Sequence, residues 1–249
     1  MRRQVISGNW KMYKTSTETK KFFEDNLNNM NSNDKDVVFY TSFVTLKDAL
    51  EAVKGTQIVI GAQNMHYETE GAYTGEISGE MLKEVGISNV LLGHSERRKY
   101  YNETDESVNL KLKKALSLSF NVTVCVGEDL SERESALTFD VIKRQIVGAF
   151  KDILASELQN IVIAYEPVWA IGTGKTASNE QAEEACAKIR CFISELYGNE
   201  VADQIRILYG GSVKPSNIKD LMALENIDGV LVGGASLTAD FEQIIHFDK

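Results

Sequence analysis

The chain of 249 residues is 43% hydrophobic and carries 27 basic against 36 acidic side chains, a formal net charge of −9 at pH 7. This acidic balance, without any long basic block, argues against nucleic-acid binding. No apolar run approaches the roughly 20 residues of a membrane-spanning helix, so we expect no membrane partner.

Short β-rich runs alternate with helical patterns along the whole chain. Strands are predicted at residues 4–8, 37–40, 58–61, 90–93, 122–126, 161–164, 205–209 and 229–232. The clearest helices between them are predicted at 19–27, 106–118, 141–154 and 179–196. Eight βα units without a linker predict the α/β class and one parallel (β/α)8 barrel, a single domain covering 1–249.

The interval 63–80 interrupts this alternation. It holds three glycines and little helical periodicity. A loop longer than about 12–15 residues is uncommon in a compact domain and usually serves a function or an interface. A mobile surface loop is one interpretation. We prefer subunit docking, with Tyr73 and Thr74 near the tip of the loop.

Glu166 stands at the end of the predicted strand 161–164. Pro167 biases the residue before it towards extended backbone, which holds the carboxylate at the strand tip. A strand-end glutamate is more often simply solvated, but Trp169 and Ile171 on the following loop are large apolar side chains that need something to cover. Because barrel enzymes keep their chemistry at strand tips, Glu166 is a candidate catalytic residue.

Two phosphate-binding motifs fit the segment after Glu166 incompletely. Gly174, Lys175 and Thr176 look like the end of a P-loop, but Trp169 occupies the position of the required first glycine. Residues 172–177 do match the looser dinucleotide-binding pattern. That turn should follow its strand directly, whereas here five residues intervene, so dinucleotide binding stays only an alternative.

Further polar segments follow other predicted strands and would meet at the same end of a barrel. Lys11, after the first strand, could alone be a surface lysine. His94, after the fourth, could be a core histidine, but Ser95 fits the N-cap of a short helix whose positive end would disfavour protonation of His94. Glycine pairs at 210–211 and 233–234 let amides approach an anion, and a phosphate site after strands seven and eight recurs in such barrels.

Cysteine and histidine usage bears on compartment and on metals. Cys125, Cys186 and Cys191 are odd in number and show no metal or redox spacing, so we expect reduced thiols and a cytoplasmic location. Arg2 and Arg3 are not followed by an apolar stretch, so no signal peptide is expected. Three scattered histidines without a His-Glu-x-x-His pattern predict no metal site.

Five motifs together resemble the signatures of the triosephosphate isomerase family, in the order of that family. They are NWKM at 9–12, HSERR at 94–98, YEPVWAIGTGK at 165–175, YGGS at 209–212 and VGGAS at 232–236. The resemblance covers essentially the whole chain. It implies a TIM (β/α)8 barrel that interconverts dihydroxyacetone phosphate and D-glyceraldehyde 3-phosphate in glycolysis and gluconeogenesis, without a cofactor.

The resemblance also implies the roles of individual residues. Glu166 would take the proton α to the carbonyl and return it to the neighbouring carbon, and a neutral His94 would polarise the carbonyl oxygen; this family is a standard example of such pKa tuning. Lys11 and Asn9 would stabilise the developing oxyanion. Glu96 would contact these groups without touching the substrate. Amides near four residues would hold the phosphate: Gly172, Ser212, Gly233 and Gly234.

The resemblance further implies a lid and a homodimer. The loop 167–177 would exclude water, so that the enediolate does not lose its phosphate. The subunits would dock through the loop 64–80, with Thr74 reaching the partner's active site beside Met12. Three departures from the family pattern concern the interface and stability. Residues 40–43 lack a proline, Asn102 replaces a glycine, and Tyr13 replaces a smaller polar residue.

A rival interpretation is a barrel that binds phosphate but has lost its chemistry. Such a binding module needs the glycine pairs but no base. The presence of Lys11, His94 and Glu166 together therefore favours an enzyme.

Overall fold

Eight parallel strands close into a barrel in the computed structural model, which describes residues 2–171 and 176–248. The strands are β1 (Val5–Asn9), β2 (Asp36–Thr41), β3 (Val59–Ala62), β4 (Asn89–Leu92), β5 (Asn121–Val126), β6 (Ile161–Tyr165), β7 (Arg206–Tyr209) and β8 (Gly229–Val232). Each strand pairs with the next, and β8 closes on β1 with Val5 opposite Gly229. Every boundary lies within one residue of its prediction, and the TIM (β/α)8 barrel is confirmed.

Helices surround the barrel and follow the strands. They are α1 (Ser16–Met30), α2 (Leu46–Ala52), α3 (Gly79–Glu84), α4 (Ser95–Tyr101), α5 (Asp105–Ser117), α6 (Leu130–Glu134), α7 (Thr138–Ala149), α8 (Asn179–Tyr197), α9 (Asn199–Gln204), α10 (Ile218–Met222) and α11 (Phe241–Ile245). Capping boxes begin α1, α5 and α8 at Thr15, Thr104 and Ser178, where a hydroxyl accepts from the third backbone N–H of the helix.

The prediction that a helix runs from 141 to 154 is wrong at its end. The helix α7 stops at Ala149, and Asp152 adopts a left-handed φ of +59°. Phe150 and Ile153 continue the apolar spacing of the helix but are buried in the turn that follows it. Their hydrophobicity therefore reflects tertiary burial and not a helical face.

The loop 64–80, called the docking loop below, is exposed at its tip and held at its base. A bridge joins His66 to Ser78, and residues 68–76 between them are exposed. The last two positions predicted as loop, Gly79 and Glu80, instead begin α3. The reason is local, because the Ser78 hydroxyl caps that helix.

Apolar layers lie on both sides of the strands. The inner layer fills the barrel with Val5, Val38, Tyr40, Leu91, Cys125, Val162, Ala164, Leu208 and Leu231. The Tyr40 hydroxyl lies 2.8 Å from Thr123 Oγ1 across this interior. Gly61 leaves room for the ring, since a Cβ there would lie 2.6 Å from it. The barrel is thus a packed core, which leaves its C-terminal end as the place for a cavity.

The first testable prediction concerns Asn102, which ends α4 with a left-handed φ of +54°. Glycine adopts this conformation without steric cost, so Asn102→Gly should leave the free energy of unfolding nearly unchanged or slightly raised. The β-branched Asn102→Val should lower it by about 1–2 kcal/mol. Denaturant titration at a fixed protein concentration measures both variants, and a valine variant as stable as the parent would contradict the assignment of strain.

Candidate active site

The C-terminal ends of the strands surround an open cavity of about 680 Å³. It brings together seven of the residues predicted from the sequence: Asn9, Lys11, His94, Glu166, Ser212, Gly233 and Gly234. Glu96 contacts this group through Lys11. Gly172, the remaining predicted residue, lies outside the described residues.

Glu166 follows β6 and is buried with its carboxylate between two donors. Oε1 lies 2.8 Å from His94 Nε2, and Oε2 accepts a hydrogen bond from the Ser95 N–H at 2.9 Å. Burial alone would raise the pKa of Glu166, but the His94 imidazole and the Ser95 N–H outweigh it and hold that pKa below its ordinary value. The carboxylate is therefore ionised at neutral pH and able to accept a proton.

His94 itself caps the helix α4. Its Nδ1 accepts from the Glu96 N–H at 3.2 Å, and its backbone is not helical. The prediction that Ser95 is the N-cap is thus wrong by one residue, because the imidazole lone pair takes the place of a hydroxyl. Since Nδ1 accepts a hydrogen bond, the proton of the neutral ring is assigned to Nε2 and points at Glu166.

The charge state of His94 depends on the Glu166 carboxylate. Burial disfavours the imidazolium, but the charge and hydrogen bond of Glu166 outweigh burial and raise the pKa of His94 above its ordinary value. The expectation of a lowered pKa, drawn from the helix start alone, is wrong for this arrangement. The sequence did not show that the carboxylate would contact the ring.

Lys11 occupies an unusual backbone conformation, with φ +51°. Its N–H donates to Asn9 Oδ1 at 2.9 Å, and its Nζ lies 2.7 Å from Glu96 Oε1. Gln63 Nε2 donates to the Lys11 carbonyl at 2.9 Å and to Asn9 Oδ1 at 3.3 Å. Because these bonds occupy Oδ1, the group that Asn9 offers to the cavity is its NH₂.

Sequence reasoning did not identify Gln63 as a site residue. Its only signal was its position directly after β3, at the same end of the barrel as the other groups. A strand-end amide has no distinctive sequence pattern. The three oxygens that accept from Gln63 belong to β1, to the loop after β1 and to β2. The contacts became visible only in the folded barrel.

The two glycine pairs have different structural reasons. A Cβ on Gly211 would lie 2.2 Å from the Tyr209 hydroxyl, so close packing requires glycine there. A Cβ on Gly234 would meet nothing within 4 Å, so that main chain borders open space. A short 3-10 turn, Gly234–Leu237, starts at the cavity, and its first N–H groups have no partner within the turn itself. This face suits an anion.

The segment after Glu166 is tied to Glu128, which sequence reasoning also missed. Trp169 Nε1 donates to Glu128 Oε1 at 2.8 Å, and the Val168 N–H donates to the Glu128 carbonyl at 3.1 Å. Burial raises the pKa of Glu128 despite these bonds. The central part of the loop 167–177, residues 172–175, lies outside the described residues.

Two further findings concern the part of the chain that the structure describes. Within residues 2–171 and 176–248, no helix combines the length and apolar character needed to cross a membrane. Over the same ranges, no cluster of three or more histidine, cysteine or acidic side chains has the geometry to hold a metal ion.

Fold and cavity together define a class of protein. At the C-terminal end of a closed parallel barrel, the Glu166 carboxylate, the His94 imidazole and the Lys11 ammonium group line one cavity. The main chain at Gly233 and Gly234 borders the same cavity. Carboxylate and imidazole exchange protons, while ammonium and amide N–H groups stabilise anions. The molecule is therefore an acid–base enzyme of the barrel class, suited to a small anionic substrate.

Comparison with known proteins specifies the family. Residues 4–248 match the family model of triosephosphate isomerase. The triosephosphate isomerase of Alkaliphilus metalliredigens is 53% identical over 248 residues, which cover 99% of this chain and 100% of that relative. Those of Alkaliphilus oremlandii and Clostridium botulinum strain Langeland are each 51% identical over the same coverage. The chain belongs to the triosephosphate isomerase family.

Family membership determines the reaction. The chain is an aldose–ketose isomerase that interconverts dihydroxyacetone phosphate and D-glyceraldehyde 3-phosphate by proton transfer through an enediolate, the general role of this family in glycolysis. A barrel that only binds phosphate is thereby ruled out. The dinucleotide-binding alternative also loses its support, although its glycines at 172 and 174 lie outside the described residues.

The second testable prediction is that Glu166→Gln lowers the pKa of His94. The amide removes the negative charge that favours the imidazolium, while burial and the Glu96 N–H both continue to favour the neutral ring. In ¹⁵N NMR titrations the imidazolium of His94 should persist to a higher pH in the parent than in the variant, because the pKa of His94 is lower in the variant. Glu128→Gln, which changes a buried carboxylate hydrogen-bonded to Trp169 and Tyr165, is the control. An unchanged His94 titration in Glu166→Gln would contradict the coupling.

Proposed function

We propose that Glu166 is the base of the isomerisation. One observation carries this assignment: its ionised carboxylate lies in the cavity wall, where His94 Nε2 and the Ser95 N–H hold it. A bound triose phosphate offers the carboxylate a carbon acid whose proton must be removed and returned one carbon away. A single carboxylate between both carbons can do both steps.

His94, Lys11 and Asn9 are proposed to act on the substrate oxygens. His94 Nε2 points into the same region as the Glu166 carboxylate and can donate to a carbonyl oxygen. The Lys11 ammonium and the Asn9 NH₂ line the same cavity and would stabilise the developing oxyanion. Glu96 holds the Lys11 ammonium at 2.7 Å and so restricts where that charge can lie.

The phosphate is proposed to bind on the opposite side of the cavity from β4. Ser212 follows β7, and Gly233 and Gly234 follow β8, where the main chain borders open space. Gly172 would contribute an amide from the lid, although it lies outside the described residues. In an acidic protein these local N–H groups would supply the attraction that the overall charge does not.

The loop 167–177 is proposed to be the lid over this cavity. Its described N-terminal part is held by Glu128 through Trp169 and Val168, which fixes the start of the loop beside the base. Closure over the substrate would exclude water and protect the enediolate from losing its phosphate.

We also propose that residues 1–249 form one domain that assembles as a homodimer through the docking loop. Closure of the barrel from β1 to β8 leaves no separately paired unit among the described strands. Large apolar side chains are exposed on the loops after β1, β2 and β3. Met12 is 94% and Val44 82% exposed, and Tyr13 and Tyr73 are also exposed on these loops. A group of exposed apolar side chains on three neighbouring loops is typical of an interface.

A cytoplasmic location is proposed from the cysteines. Cys125 and Cys186 are buried and Cys191 is exposed, and all three are free thiols. Free thiols persist in reducing compartments.

The third testable prediction is that Glu166→Gln abolishes most activity. The amide keeps the shape of the side chain but cannot accept a proton, so kcat should fall by at least about 10²–10⁴-fold with KM changed little. Steady-state kinetics with a coupled assay on glyceraldehyde 3-phosphate measure both constants. The exposed Glu134→Gln serves as the control. A Glu166→Gln enzyme with near-native kcat would refute the assignment of the base.

The fourth testable prediction is that Thr74→Glu produces monomers with much reduced activity. The charge would lie at the exposed tip of the docking loop, where a partner subunit would have to desolvate it. Sedimentation and kinetics at matched concentrations test this, with Leu154→Glu as a control at an exposed position on another part of the surface. A fully active monomeric parent at assay concentrations would exclude the dimer as a requirement.

A further inference from the structure

Gln145, on α7, hydrogen-bonds to the main chain beside Glu166 but does not line the substrate cavity. It is only 4% exposed. Its Oε1 accepts a hydrogen bond from the Gly127 N–H at 2.7 Å, and its Nε2 donates to the Gly127 carbonyl at 3.1 Å. One amide side chain therefore satisfies both polar main-chain groups of the residue that follows β5. None of the sequence motifs includes Gln145.

A chain of hydrogen bonds runs from Gln145 to the backbone of Glu166. The peptide group between Val126 and Gly127 donates its N–H to Gln145 Oε1, and its C=O accepts from the Glu166 N–H at 2.7 Å. The N–H and the C=O point in opposite directions within one rigid, planar peptide group. Rotation of that plane away from Gln145 would therefore also displace the backbone N–H of Glu166.

The main chains of Gly127 and Glu166 are also in direct contact. A Cβ on Gly127 would lie 1.8 Å from the Glu166 carbonyl oxygen, so the two backbones pack without a side chain between them. The neighbouring space is open, since a cavity of about 450 Å³ is lined by Gly127, Gln145, Glu166 and Val168, among others. Open space cannot restrain a peptide, so the two bonds from Gln145 supply the restraint on that side.

We propose that Gln145 is a positioning residue for Glu166. It holds the Val126–Gly127 peptide, and through that peptide it fixes the backbone from which the Glu166 carboxylate reaches the cavity. The inference rests on the proposed role of Glu166 as the base. Misplacement of a reacting group by 1 Å can cost about 10²-fold in rate, so loosening this peptide should reduce kcat more than substrate binding.

The first test compares Gln145→Met with a matched substitution elsewhere. Methionine keeps the length of the side chain but removes both hydrogen bonds. On α5, the buried Asn109 likewise donates to two main-chain carbonyls, those of Ala149 and Lys151, at 2.7 and 2.9 Å. Both Gln145→Met and Asn109→Leu should lower stability, but only Gln145→Met should lower kcat, by about 10-fold, with KM within about twofold. Equal kcat values in the two variants would overturn the proposal.

The second test uses Gln145→Glu, which also serves if the methionine variant does not fold. The introduced carboxylate can accept from the Gly127 N–H but cannot donate to the Gly127 carbonyl, whereas the protonated carboxyl group can do both. The kcat of the variant relative to the parent, measured at each pH, should therefore rise as the pH falls. This ratio removes the pH dependence that the variant and the parent share.

Other charged groups line the cavity beside Gln145, so a control that adds no titrating group is measured over the same pH range. The control is Gln145→Met, or Asn109→Leu if the methionine variant does not fold. The charged groups are Arg98, Lys99, Glu103, Asp105, Asp129, Glu132 and Arg144. A kcat ratio for Gln145→Glu that does not change with pH, or that changes equally in the control, would overturn the proposal.

The failure of this inference differs from the failure of the proposed function. If Glu166→Gln retains native kcat, the base has been assigned wrongly, whatever Gln145 does. If Glu166→Gln loses activity while Gln145→Met keeps native kcat and shows only the stability loss of Asn109→Leu, the positioning role alone is wrong.

Discussion

Closure of eight parallel strands is the constraint on which the site depends. Because all strands run in one direction, their C-terminal ends form a single rim, and side chains distant in the chain meet there. Lys11 contacts Glu96, 85 positions away, and the Ser95 N–H contacts Glu166, 71 positions away. The packed interior beneath excludes a second access from the barrel axis, so the chemistry is confined to this rim.

The electrostatics at the rim are those of a coupled set of groups. Glu166, buried, keeps its charge because His94 and the Ser95 N–H stabilise it, and the same contact favours the protonated ring of His94. Bringing a substrate carbonyl between these two groups would separate them. The carboxylate would then lose a stabilising partner and become a stronger base, at the moment when it faces the carbon acid. With Glu166 as the proposed base, the resting contact would thus link substrate binding to its basicity.

The sequence predicted most of the fold and seven of the residues that line the cavity, but not their contacts. Strand boundaries follow from short β-branched runs and turn residues, which are local signals. The end of α7 was missed because Phe150 and Ile153 owe their burial to tertiary packing. The sequence did not identify Gln63, Glu128 and Gln145 as site residues, because a single polar side chain at a strand end or on a helix has no distinctive sequence spacing. The His94–Glu166 contact, which reverses the expected pKa shift of His94, is likewise a product of the closed barrel.

The central claim is that the Glu166 carboxylate removes a proton from a carbon of the bound triose phosphate. Covalent labelling of the base tests this claim most directly. A three-carbon phosphate ester with an epoxide in place of the hydroxyketone would place an electrophilic carbon where the substrate carbon lies. We predict one ester per chain, formed on Glu166, identified by peptide mass spectrometry and suppressed by excess substrate. Esterification of Glu96 or alkylation of His94 instead, with Glu166 unmodified and activity lost, would contradict it.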